Sequence, residues 1–191
     1  MSAGRRVLMR TFGRPRGLLG RIGGAIMARM NRQCVTWVIT DVLRIQPRDR
    51  VLEVGFGPGV GIECLAKAST AKVAGVDASD EMVGQARARN ANALAQGRID
   101  LRLGSVERLP FDDDTFDAAL AVNSMQVWPD AVGGLREMRR VLKRGGRIAL
   151  AFTPHSGQSK AGLIDLLASA GFADARPMDS EHGFGVLATK T

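Results

Sequence analysis

The chain contains no tyrosine, two cysteines, two histidines and aromatic residues at only 5% of its 191 positions. Without tyrosine no phenol can act as a base, and a base-stacking surface for nucleic acid has few rings to draw on. Cys34 and Cys64 form neither a metal-ligand spacing nor a disulfide framework. A cytoplasmic, reducing environment is the simple expectation. Two thiols also cannot hold an iron–sulfur cluster, which excludes radical chemistry that depends on one. No apolar run reaches 18 residues, so no membrane-spanning helix is expected. Acids are missing before Asp41, and Arg14, Arg16 and Arg21 interrupt any apolar core that a secretory signal would need. Internal repeats, low-complexity tracts and linkers are also lacking.

Two phosphate-binding patterns are missing as well. The stretch Arg50-Val51-Leu52-Glu53-Val54-Gly55-Phe56-Gly57-Pro58-Gly59-Val60-Gly61 reads as a short buried strand, a glycine turn and the start of a helix. Counting G-x-G-x-x-G from Gly55 places Val60 at the last position, and counting from Gly57 places Ile62 there, so a dinucleotide fingerprint fails. No Gly-Lys-Ser/Thr follows, so a Walker loop fails too. What is present is acid-x-G-x-G-x-G. Glycines let a backbone approach a ligand closely, and the helix start behind them offers unpaired N–H groups. Glu53 would repel a pyrophosphate and suits a cation, such as the sulfonium and α-ammonium of S-adenosylmethionine.

On Glu53, Gly55, Gly57 and Gly59 the chain resembles the class I S-adenosylmethionine-dependent methyltransferases. It is most similar to the small-molecule type 11 group, which includes quinone-biosynthesis C-methyltransferases. The resemblance covers residues 47 to 153 and implies a doubly wound, mostly parallel seven-stranded α/β sheet of Rossmann-like form. It also implies S-adenosylmethionine as cofactor and a small-molecule methyl acceptor.

The rest of the chain fits this frame. A helix is expected from Ile62 to Ser69, then a strand from Lys72 to Asp77. Asp77 falls 22 residues after Gly55, the separation at which an acid meets ribose hydroxyls in doubly wound folds, and the resemblance implies that role. Ser79 and Asp80 are the candidate caps of a helix over 80–95. Met82 matches a family position near the cofactor and equally suits core packing. Ile99-Asp100-Leu101-Arg102-Leu103 alternates as a strand. The segment Gly104 to Phe111 resembles the family's G-D-A-x-x-L-P-F, with Ser105 in place of the acid that would accept from the adenine amino group. The N–H of Val106 remains available to the ring. Phe56 and Ala78 complete the implied cofactor surroundings.

Asp112-Asp113-Asp114 reads as a solvated turn, and no metal is expected. Phe116 to Val122 is the fourth strand, where Asp117 serves the fold. Asn123 then leaves the carboxyl edge of the sheet, where such folds bind ligands. It would face the methionine end of the cofactor, with Gln126 and Trp128 toward the acceptor. A helix is expected over 133–143, ended by Gly145 and Gly146, then a strand over 147–152 and a helix over 161–169. Residues 173–178 and 184–188 suit a closing antiparallel pair.

All of the net charge of +8 resides in the first 40 residues, which carry eight arginines and no acid. The expected organisation is a basic arm and helix over 1–40 and a cofactor-binding domain over 41–191. After Pro15, Leu18, Ile22, Ile26, Met30, Cys34, Val38 and Val42 form an i+4 stripe. That helix either packs on the sheet as a roof for the site or offers a basic surface to anionic membrane or nucleic acid. The arm's composition also fits a transit peptide.

Methyl transfer from a sulfonium is an in-line displacement that depends mainly on positioning. A base is needed only where the acceptor carries a proton. His155 is the tentative base and substrate contact, with His182 as the other candidate. Methylation of RNA or protein docked by the arm, and cofactor binding without catalysis, are the alternative readings. A homo-oligomer is one way to roof the site.

Overall fold

The computed structural model describes residues 31–154 and 156–191. His155 and the arm's residues 1–30, including Leu18, Ile22, Ile26 and Met30 of the stripe, lie outside the described residues. Residues 31–37 are helical and run into a π-helical turn, Val38–Val42. Cys34, Val38 and Val42, the rest of the stripe, are buried together with Val35, Ile39 and Leu43. This entry helix joins the same core as residues beyond position 41.

Strand β1 (Val51–Val54) is buried at every position, as a central parallel strand must be. It feeds helix α1 (Val60–Ala68) through the glycine turn. After β2 (Val73–Asp77), helix α2 (Asp80–Arg89) is capped by Ser79, whose hydroxyl accepts from the Met82 N–H. The single helix expected over 80–95 is interrupted at Asn90, and α3 (Ala91–Ala95) follows. The cause is tertiary. Buried Asn90 donates from Nδ2 to the Gly59 carbonyl at 3.0 Å and to the Ala86 carbonyl at 2.9 Å, tying the helix end to the glycine turn. Asn90→Ala is expected to cost about 1–2 kcal/mol by removing the two buried hydrogen bonds of the Asn90 amide. Urea denaturation checks this, and an unchanged midpoint would mean that water replaces the amide at no cost.

Strands β3 (Ile99–Leu103) and β4 (Phe116–Val122) lead to helix α4 (Ala131–Val141), strand β5 (Leu142–Phe152), helix α5 (Leu163–Ser169) and the hairpin β6 (Ala173–Ser180) and β7 (Gly183–Thr189). Gly145 and Gly146 do not end α4, which stops at Val141, and β5 begins directly at Leu142. The terminal carbonyls of α4 are met by a cation distant in sequence: Lys190 Nζ donates to the Leu142 carbonyl at 2.6 Å and to the Arg140 carbonyl at 3.3 Å. The two glycines form an irregularity within β5. Gly145 has φ +74° and donates to the Lys190 carbonyl, while the Lys190 N–H returns a bond to Gly146.

The seven strands form one sheet in the order β3-β2-β1-β4-β5-β7-β6. Strands β1 to β5 pair in parallel, and β7 runs antiparallel between β5 and β6. One face is covered by the entry helix, α1 and α2, and the other by α4 and α5. Strand order reverses between β1 and β4, so the crevice beyond their carboxyl ends is the place for a ligand. Asp117 accepts from the Arg50 N–H and pairs with Lys143, holding the opposite end of the sheet. Asp113 pairs with Arg140 and Asp114 with Lys190, so these two acids point to different partners. Among the described residues, no helix is long and apolar enough to cross a membrane, and no group of acids, histidines or cysteines could hold a metal.

Candidate cofactor site

Three glycines turn the chain from β1 into α1 with φ of +73° at Gly55, +54° at Gly57 and +81° at Gly59, values that L side chains rarely adopt. Space matters equally. A Cβ at Gly55 would overlap the Ser124 side chain, and one at Gly59 would meet Ala86 Cβ at 2.6 Å. The N–H groups of these glycines are already engaged. Gly55 donates to the Val76 carbonyl, Gly57 to Asp77 Oδ2 at 2.8 Å and Gly59 to the Phe56 carbonyl. Those bonds to Val76, Asp77 and Phe56 fix the path of the turn.

Two cavities meet at Gly55 and Gly57. The larger, about 100 Å³, is lined by Asp77, Ala78, Gly104, Ser105, Val106, Ser124, Val127 and Trp128 among others. Asp77 accepts from the Gly57 N–H and, at 2.9 Å, from the Ser79 N–H, which fixes its carboxylate at the mouth of β2. Burial pushes the Asp77 pKa up, and N–H groups of Ser79, Gly57 and Ala78 oppose that shift. Ser105 Oγ accepts from the Glu107 N–H and donates to Glu107 Oε2 at 3.2 Å, so an acid lies beside the serine found there.

The smaller cavity, about 20 Å³, is lined by Asn31, Val35, Glu53, Gly55, Phe56, Gly57, Pro58, Val60, Gly61, Val122 and Asn123. Glu53 is only 3% exposed. Its Oε2 is buried without a hydrogen-bond partner among the described residues. Burial, and secondarily the charge of Asp77, raise its pKa to about 8, against a weaker lowering by the Ile62 N–H. Gly61 leaves the room this carboxylate occupies, since a Cβ there would overlap both carboxylate oxygens.

The positions expected at the site divide as follows. Glu53, Phe56 and Asn123 line the smaller cavity, Asp77, Ala78, Ser105 and Val106 the larger, and Gly55 and Gly57 both. Met82 is buried and lines neither, and Gly59 shapes the turn without reaching either lining. Trp128 lies on the Asp77 side and packs toward Gly134, while Gln126 is exposed. His182 belongs to the β6–β7 turn beside Glu181. Asn31, Gly61 and Ser124 were not singled out from sequence. Gly61 carried a signal, as a fourth glycine in the turn, whereas Asn31 looked like one more polar residue of the arm.

A methyltransferase domain model, Methyltransf_11, matches residues 52–150, slightly more than half of the chain. The chain is 32% identical over 139 residues to the uncharacterized methyltransferase YdaC of Bacillus subtilis, covering 72% of this chain and 74% of that one. It is 36% identical over 110 residues to the ubiquinone/menaquinone biosynthesis C-methyltransferase UbiE of Geotalea daltonii, covering 56% of this chain and 47% of that protein. It thus spans about half the length of that quinone-pathway relative. Its structure superposes on a putative S-adenosyl-L-methionine-dependent methyltransferase of Methanococcus maripaludis with a TM-score of 0.77 at 21% identity, covering 91% of this chain and 90% of the other. The sheet order, the acid-led glycine turn and these matches agree: the chain belongs to the methyltransferase domain family, in the type 11 group of class I S-adenosylmethionine-dependent methyltransferases.

Proposed function

We propose that this protein transfers a methyl group from S-adenosylmethionine to a small-molecule acceptor. The observation that carries the reading is the buried, partnerless Oε2 of Glu53 in a cavity that joins the Asp77 cleft across Gly55 and Gly57. A buried carboxyl oxygen left without a partner costs folding free energy, so a cationic partner is the natural reason to keep one. About 20 Å³ is room for one water-sized group, which an ammonium is. Asp77, held by two N–H donors, retains lone pairs for a ribose diol. Val106 and Trp128 supply apolar walls for a flat base in the same cleft. Bound there, the cofactor supplies an electrophilic methyl group on a positively charged sulfur.

The chain's own contribution is to bind, orient and exclude water. The described linings of both cavities contain no histidine or lysine. An acceptor proton is therefore lost before attack or taken by a group outside these linings, His155 among the candidates. Similarity to a UbiE protein supports a small-molecule acceptor. Free thiols at Cys34 and Cys64 suit a reducing cytoplasm.

Calorimetry with S-adenosylhomocysteine and NADH, followed by labelled-methyl transfer into a fractionated cell extract, tests the reading. S-adenosylhomocysteine should bind, NADH should not, and label should appear among small molecules. Label confined to RNA or protein would overturn the acceptor class, and binding with no label in any fraction would overturn catalysis.

A further inference from the structure

The Glu53 compartment contains a second recognition group, carried by the entry helix. Two carboxamides, Asn31 and Asn123, line it. Their orientations follow from one backbone group. The Thr153 N–H can only donate, and it donates to Asn123 at 2.9 Å, so that atom is Asn123 Oδ1. The Asn123 nitrogen is then its other terminal atom. It donates to Thr153 Oγ1 at 3.0 Å and to Asn31 at 2.8 Å, so the atom it meets on Asn31 is Oδ1. Both hydrogens of Asn123 are thereby spent. By the same logic Asn31 Nδ2 keeps two hydrogens, and among the described residues nothing accepts them.

This arrangement is built rather than incidental. Asn123 sits at φ +50°, a conformation that costs a non-glycine residue free energy. It is held there by its side-chain bonds to Thr153, just past β5, and to Asn31 of the entry helix, and by its N–H to the Ala151 carbonyl. The strained residue therefore presents Asn31 at the rim of the compartment, with Glu53 on the sheet side. The N–H groups of Gly55, Gly57 and Gly59, which could otherwise hold an anion, are engaged by Val76 and Asp77 of β2 and by the Phe56 carbonyl.

An α-amino acid end carries an ammonium and a carboxylate. Glu53 can meet only the first. We propose that Asn31 Nδ2 donates to the α-carboxylate of the cofactor's amino-acid end, so that Asn31 and Glu53 together recognise a zwitterion. This rests on the cofactor reading above. In this role Asn123 is a positioning residue for Asn31 and makes no direct ligand contact through its amide hydrogens.

The test is equilibrium binding of three ligands to the full chain. S-adenosylhomocysteine carries both charges, its decarboxylated amine analogue carries only the ammonium, and 5′-methylthioadenosine carries neither. Asn31→Asp is the informative variant, because it keeps the oxygen that Asn123 bonds and replaces the donors with an anion. It should weaken S-adenosylhomocysteine by about ten- to a hundredfold while leaving 5′-methylthioadenosine within about twofold. The parent's preference for S-adenosylhomocysteine over the decarboxylated analogue should vanish. Asn31→Ala should show the same ligand selectivity, and a melting curve confirms that each variant is folded. An unchanged S-adenosylhomocysteine affinity in folded Asn31→Asp, or an equal loss for 5′-methylthioadenosine, overturns the assignment. A parent chain that binds none of the three ligands overturns the cofactor reading instead, and this one with it.

Discussion

Affinity for S-adenosylhomocysteine is expected to rise with pH by close to tenfold per unit from about pH 6 to 7.5, to level off above about pH 8, and to be accompanied by release of about one proton. The sign follows from Glu53. In the ligand-free protein its pKa is raised to about 8, chiefly by burial, so the carboxyl group is protonated at neutral pH. A ligand ammonium in the same compartment favours the carboxylate, so binding must expel the proton below pH 8 and need not above it. Calorimetry in buffers of different ionisation enthalpy counts that proton. Glu53→Gln should remove the pH dependence and, above about pH 8, weaken binding by about 2–5 kcal/mol, the scale for truncating one partner of a buried charge pair. The same substitution should act in the opposite direction on the empty fold. Unfolded, a glutamate releases its proton near 4.5, and here it does so near 8. Folding therefore takes up a proton between those values, and the ligand-free protein loses stability as pH rises through that window. Glu53→Gln should abolish that decline and melt higher than the parent above about pH 8. A pH-independent affinity in the parent would mean that Glu53 does not face the ammonium.

That opposition explains which features were legible in the sequence. The glycine turn was, because three alternate positive-φ sites admit few residues other than glycine and so leave a local mark. Ser79 was legible as a cap for the same reason, its partner being the Met82 N–H three residues on. The features that were missed depend on groups far apart in the chain. The end of α4 is set by Lys190, whose ammonium reaches the Leu142 carbonyl across 48 positions, and against that competitor the Gly145-Gly146 pair had no helix to stop. Helix 80–95 breaks because Asn90 finds the Gly59 carbonyl 31 residues earlier. Asn31 could not be separated from its basic surroundings, since its meaning depends on how Asn123 and Thr153 are turned. In each case a polar side chain satisfies distant backbone or amide groups, and hydrophobic periodicity carries no record of such a pairing.

Gly61 tests whether this turn was shaped for a carboxylate rather than for chain flexibility. It lies in the first turn of α1, where alanine should gain up to about 1 kcal/mol over glycine from helix propensity alone. Its Cβ, however, would overlap both oxygens and Cδ of Glu53, and the buried glutamate has little free space to move into. Overpacking of this kind costs about 1–3 kcal/mol. Gly61→Ala is therefore expected to destabilise the protein despite the better helix former, and to weaken S-adenosylhomocysteine about as much as Glu53→Ala does, because the carboxylate is displaced from its compartment. The decisive measurement is the double-mutant cycle. With Glu53→Ala in the background the overlap disappears, and the added methyl fills part of the space that the glutamate vacated. There Gly61→Ala should be neutral or stabilising in urea denaturation and should cause no further loss of affinity. The coupling between the two positions should then be about 1–3 kcal/mol or more. Additive effects in the cycle would mean that Gly61 answers to backbone demands alone, and that Glu53 reaches its place without it.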